Sequence, residues 1–140
     1  MAGYSGTPLW KKLGVKPGSR VLLAHADAGW GIPDAPDGVI WVDEPDPAHG
    51  SAPLDLVLAF YRTAADYVAE LDALGERIFP AGSLWIAWPR KAAGHVSDLG
   101  DNVVRNAALE RGLVDVKVAA VDEDWSAIKV VWRVELRTRA

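Results

Sequence analysis

Four short apolar runs, each closed off by glycine, proline or charge, decide most of what this chain can become. They are Arg20–Ala26 (RVLLAHA), Val39–Val42 (VIWV), Leu54–Tyr61 (LDLVLAFY) and Ser83–Trp88 (SLWIAW). Continuous runs of this length are expected of strands covered on both faces, as in a parallel sheet flanked by other layers. Helical patterns separate the later ones. Thr63 opens a helix with Asp66 in capping-box position, and Val68, Leu71, Leu74 and Ile78 recur at helical spacing before Pro80-Ala81-Gly82 stops it. A second helix is expected over Asp101–Arg111, with Val103, Val104, Ala107 and Ala108 inward and Gly112 at its end.

The last two strands read differently. Val114, Val116, Val118 and Ala120 alternate with polar residues, as do Ile128, Val130, Trp132 and Val134. Period-two alternation marks strands with one wet face, and the short link DEDWS makes them an antiparallel pair. At the other end, residues 1–19 give a short helix and a turn, with Thr7 as cap, Pro8 in the first turn and Gly14 at the end. The fold class is therefore α/β. One domain spanning 1–140 holds an open, mostly parallel sheet that finishes in an antiparallel β-hairpin.

Composition narrows the function classes. The chain has no cysteine, so disulfides and thiolate chemistry are excluded. A net charge of −4 argues against nucleic acid as a partner, because phosphate binding draws on a basic excess. No apolar run is long enough for a membrane span or a signal peptide, and a cytoplasmic location is the expectation. Seven tryptophans are expected chiefly to fill the core. His25, His49 and His95 lie in separate segments with no metal-ligand spacing, so no metal is expected. Neither a Gly-x-Ser-x-Gly elbow nor a Walker-type phosphate loop occurs. Asp122, Glu123 and Asp124, at the hairpin tip, read as turn formers.

Several segments carry a resemblance. VKPGSRVLLAHA is similar to the first strand of the Rossmann-like class I S-adenosylmethionine-dependent methyltransferases, VIWVDE to the second, and LDLVLAFYR with FPAGSLWIAWP to the fourth and fifth. The resemblance implies that an acid closing the second strand holds the cofactor ribose. The chain departs where those enzymes place an acid and a Gly-x-Gly turn: it has His25-Ala26-Asp27-Ala28-Gly29-Trp30-Gly31. Nor has their third strand a counterpart. The blocks YSGTPLWKKLGVKPG, LWIAWPRKA, DNVVRNAALERGLVDVKV and AVDEDWS resemble the actinobacterial family called domain of unknown function 3052, which supplies no activity.

In open α/β sheets ligands sit at the carboxyl ends of the strands. That edge collects His25 and Asp27 after the first strand, Asp43 and Glu44 after the second, Tyr61 and Arg62 after the third, and Trp88, Arg90 and Lys91 after the fourth. Arg90 and Lys91 are the anion-binding candidates, since a guanidinium and an ammonium can neutralise a phosphate or carboxylate. A retained sheet with a lost glycine cradle leads to the expectation of a non-catalytic binding or regulatory domain. Its ligand would be a small anion, a nucleotide-like molecule or a protein partner. The alternative is a small methyltransferase with an atypical cofactor loop, the only reading that calls for S-adenosylmethionine. A third reading is a homodimer formed through the final hairpin, its last strand taken as a sheet edge, or through exposed tryptophans.

Overall fold

A computed structural model describes residues 6–43 and 53–138. The four apolar runs form strands β1 (Arg20–Ala24), β2 (Ile40–Val42), β3 (Leu56–Phe60) and β4 (Ser83–Pro89). Helix α1 (Leu9–Leu13) precedes them, α2 (Ala64–Ile78) joins β3 to β4, and α3 (Asp101–Glu110) leads into β5 (Leu113–Ala120) and β6 (Trp125–Trp132). The sheet order is β2-β1-β3-β4-β6-β5. β2, β1, β3 and β4 run parallel, whereas β6 lies antiparallel between β4 and β5. The expected fold class is the observed one.

Both faces of the sheet are covered at its centre, which is why β3 and β4 are almost wholly apolar. On one face Leu71, Leu74 and Ile78 of α2 and Val104 and Ala108 of α3 pack against Val57, Ala59, Ile86, Ile128 and Val130. On the other, Leu13, Val15 and Ile32 cover Val21, Leu58, Phe60, Trp85 and Trp125. β3, at the centre, is buried throughout.

Local chemistry sets the ends of the helices. The Thr63 hydroxyl accepts from the Asp66 amide at 3.2 Å, and the Asp98 carboxylate accepts from the Ala64 amide at 2.8 Å. Two donors of the first turn of α2 are thereby satisfied. Gly14 ends α1 in the left-handed conformation, φ 88°, that glycine adopts without steric cost.

Several expectations need correction. Pro8, not Thr7, stands at the cap of α1, with no side-chain cap bond. On α2 the inward residue is Tyr67, whose hydroxyl donates to the Val104 carbonyl at 2.9 Å, and Val68 is exposed. On α3, Val104 and Ala108 face inward while Val103 is exposed. β2 is an exposed edge rather than a buried strand, with Ile40 46% and Trp41 47% accessible. β6 is interior, so the edge beyond it is β5. In β5 the pairing shifts between Asp115 and Lys117, leaving Val116 and Val118 about half exposed. Such a bulge resets the alternation on which the one-wet-face expectation rested. Trp85, Trp88 and Trp125 are buried, in line with core filling, whereas Trp41 is not. No helix among the described residues is long and apolar enough to cross a membrane.

Candidate functional site

The chain runs outward from β1 to β2, then returns to pair β3 on the other side of β1. The carboxyl ends of β1 and β3 therefore flank a point where successive connections diverge, the usual crevice of an open α/β sheet. A cleft of about 390 Å³ lies there. His25 and Asp27 reach it from the segment after β1, and Phe60, Tyr61 and Arg62 from the end of β3. Asp66, Ala69 and Glu70 come from α2, and Trp125 from the start of β6.

Glu70 organises the polar side. Its Oε1 accepts from the Tyr61 hydroxyl at 2.6 Å and lies 2.7 Å from His25 Nε2. The His25 and Tyr61 rings are 5.4 Å apart. Burial pushes the Tyr61 hydroxyl well above the ordinary phenol range, and the bond to Glu70 adds to the shift, so the phenol remains a donor. His25 holds φ 61°, in the left-handed region.

An aromatic stack forms the other side. Phe60 meets Trp125 edge-on at 5.0 Å and Trp30 at 4.9 Å. The Arg62 guanidinium lies 4.8 Å from the Trp125 ring and 3.9 Å from the Asp27 carboxylate, a largely exposed pair of small energetic weight.

Of the sequence-derived candidates, His25, Asp27, Tyr61 and Arg62 share this cleft. Trp88, Arg90 and Lys91 line a separate one of about 350 Å³ with Leu99, Asp101 and Ser126. Arg90 is engaged there: its Nη1 donates to the carbonyls of Asp122 at 3.1 Å and Glu123 at 3.4 Å, and its amide donates to Asp124 at 2.8 Å. It ties the β5–β6 turn to the end of β4. Asp43 is exposed just past β2 and lines neither cleft; Glu44 lies outside the described residues. At the hairpin tip, Asp122 Oδ1 accepts from the amides of Asp124 and Trp125, the turn-forming role expected of it. Among the described residues no group of histidine and acidic side chains could hold a metal ion.

Sequence reasoning missed Glu70 and read Asp66 only as part of a helix cap. They stand one helical turn apart on α2, and the only available signal was that this helix starts at a strand end and carries two acids at that spacing.

No protein-family model matches the chain, and no curated protein is similar to it in sequence. Solved structures do match. A methyltransferase dependent on S-adenosylmethionine from Aquifex aeolicus superposes with a TM-score of 0.55 at 14% identity, over 87% of this chain and 86% of that one. A chain of the fibrillarin/Nop5p complex gives 0.50 at 14% identity, over 89% and 83%. Magnesium protoporphyrin IX methyltransferase from Synechocystis PCC 6803, with bound S-adenosylmethionine, gives 0.50 at 12% identity, over 68% of this chain. The chain spans 46% of that protein's length, about half. The fold is that of the S-adenosylmethionine-dependent methyltransferases. These neighbours correct the expectation of a non-catalytic binding or regulatory domain, and they favour the alternative reading instead.

Proposed function

We propose that this chain is a small methyltransferase, dependent on S-adenosylmethionine, with an atypical cofactor loop. The observation that carries the reading is the cleft at the carboxyl ends of β1 and β3, beside the left-handed turn at His25. The fold neighbours support it. The finer resemblance to domain of unknown function 3052 is compatible with it and adds no substrate. A cytoplasmic, single-domain protein acting on a small molecule is part of the same proposal.

The residues present fit the cofactor in backbone terms. His25 takes the turn conformation that glycine would supply, and a Cβ built on Gly29 or Gly31 meets no atom within 4 Å. The loop is therefore uncrowded at both glycines, and it is His25 and Asp27 of this segment that line the cleft. The side chains of His25 and Asp27 are the departure. Asp43 closes β2, and the register Leu22↔Val42 sets it beside Leu23 at the same sheet edge. Its carboxylate would accept hydroxyl hydrogens of the ribose.

When bound, the cofactor supplies an electrophilic methyl group. The chain's own part is to orient the acceptor, exclude water and take up a proton. Phe60 and Trp125 line the cleft, the Tyr61 hydroxyl donates to Glu70, and Glu70 Oε1 lies 2.7 Å from His25 Nε2.

Calorimetric titration with S-adenosylmethionine and S-adenosylhomocysteine tests the reading. Saturable binding is expected, weakened about tenfold or more by Asp43→Ala through loss of a hydrogen bond to a charged group. Absence of binding by both compounds would overturn it.

A further inference from the structure

Lys129 carries its charge where strand pairing supplies no counter-charge. It lies on β6, an inner strand, directly opposite Trp85 of β4 on one side and Lys117 of β5 on the other. Residues directly opposite each other on antiparallel strands share a face, so the three side chains form one row across three strands. The Lys117 ammonium, 5.7 Å from the centre of the Trp85 ring, agrees with that placement. Trp85 shares its core cluster with Leu13 and Val15, and its indole N–H donates to the Leu13 carbonyl at 3.1 Å. Lys16 follows Val15 at once and brings a third cation to the same face.

Like charges directly opposite each other destabilise a pair of strands. Burial disfavours the Lys129 ammonium, and the charges of Lys117 and Lys16 depress it further. Among the described residues no acidic side chain pairs with any of the three. A lysine on an edge strand discourages unwanted pairing, which accounts for Lys117 on β5. It does not account for Lys129, which is half-buried on an inner strand. In a chain of net charge −4, three cations are thus gathered with their repulsion unrelieved. A bound anion would relieve it.

We propose that Lys16, Lys117 and Lys129 bind a diphosphate group, either free or carried on a nucleoside. A diphosphate brings a charge of roughly −3 near neutral pH, which balances three ammonium groups. Neighbouring strands lie about 5 Å apart, so the two strand lysines are spaced for one small anion. A long polyanion would in addition meet the negative field of the whole molecule. Ammonium groups on flexible stems act as point charges and can close on phosphate oxygens from several directions. None of the three lines the cleft beyond β1 and β3, and Lys16 precedes the amino end of β1. The site is therefore separate from the cleft of the methyltransferase reading, and neither inference depends on the other.

Pyrophosphate and ADP, titrated separately into nitrogen-15-labelled protein at low ionic strength without magnesium, test the proposal. Saturable shifts are expected at the amides around Lys16, Lys117 and Lys129 with at least one probe, and the tighter probe tells which form the site takes. Lys129→Met keeps a long apolar stem and should weaken binding about tenfold or more, through loss of a contact between charged groups. Lys117→Met should do the same from an exposed position where folding is not at stake, and Lys129→Arg should stay within about threefold of wild type. Lys11→Met removes an exposed charge of α1 that does not act on Lys129, and it should leave the affinity unchanged. The proposal is overturned by a lack of saturation with both probes or by shifts confined to the cleft beyond β1 and β3. Equal losses in the Lys11 and Lys117 variants would overturn it as well, since they would mean general attraction of anions.

Discussion

Gly82 is confined by its neighbours rather than by its backbone angles. It lies outside the left-handed region, yet a Cβ there would run into the Leu54 carbonyl oxygen and sit 2.9 Å from that of Ile78. Backbone atoms cannot swing aside as a side chain can. Gly82→Ala is expected to destabilise by about 3 kcal/mol, whereas Gly31→Ala, in open space, should change stability by about 0.5 kcal/mol or less. Urea midpoints of the two variants check this. Tyr61 and Tyr67 make a second prediction at this scale. Burial raises both hydroxyls above their ordinary value of 10.0; Glu70 adds to the effect at Tyr61, and Arg111 partly opposes it at Tyr67. Above about pH 10 the unfolded chain gives up these protons while the folded chain keeps them, so the unfolded state binds fewer and stability falls as pH rises. The melting temperature should drop from about pH 9 upward, less steeply in Tyr61→Phe; equal slopes would contradict the assignment. At this scale the site was half legible. His25, Asp27, Tyr61 and Arg62 each follow an apolar run, and strand ends are where a reader looks. Glu70 was hidden because it lies on the polar face of a helix, where periodicity distinguishes inside from outside but not one polar residue from another.

The elements were legible wherever burial was two-sided. β1, β3 and β4 announced themselves as unbroken apolar runs because both faces are covered. β2 misled because a run of four apolar residues reads the same at an exposed edge as in the interior. β5 misled for a different reason: Arg105 holds Asp115 by an ion pair at 3.1 Å, and the register shift that follows turns Val116 and Val118 away from the core. Arg90 shows the same limit for function. A basic residue after a strand suggests an anion site, yet its hydrogen bonds go to the hairpin backbone. Arg90→Ala should therefore cost about 1–2 kcal/mol and speed amide exchange at Asp124 and Trp125. Unchanged exchange there would show that the guanidinium does not hold the turn.

For the molecule as a whole, stability should be graded across the sheet rather than uniform. β3 and β4 are paired on both sides and buried, whereas β2 is three residues long and exposed. Native-state hydrogen exchange should find the slowest amides in β3, β4 and β6 and faster ones in β2 and α1. A reversed order would mean that the helical layer, and not the central strands, governs global unfolding. The position of β6 has a consequence for how the protein is made. A ribosome delivers β5 before β6, yet β5 reaches the sheet only through β6. Until those later residues emerge, β4 presents a naked hydrogen-bonding edge and β5 has nothing to join. At roughly 5–20 residues per second, the 20 residues from Leu113 to Trp132 take about one to four seconds to appear. Through that interval the nascent chain carries a four-stranded sheet with β4 as an open edge, and that is when it would most need a chaperone.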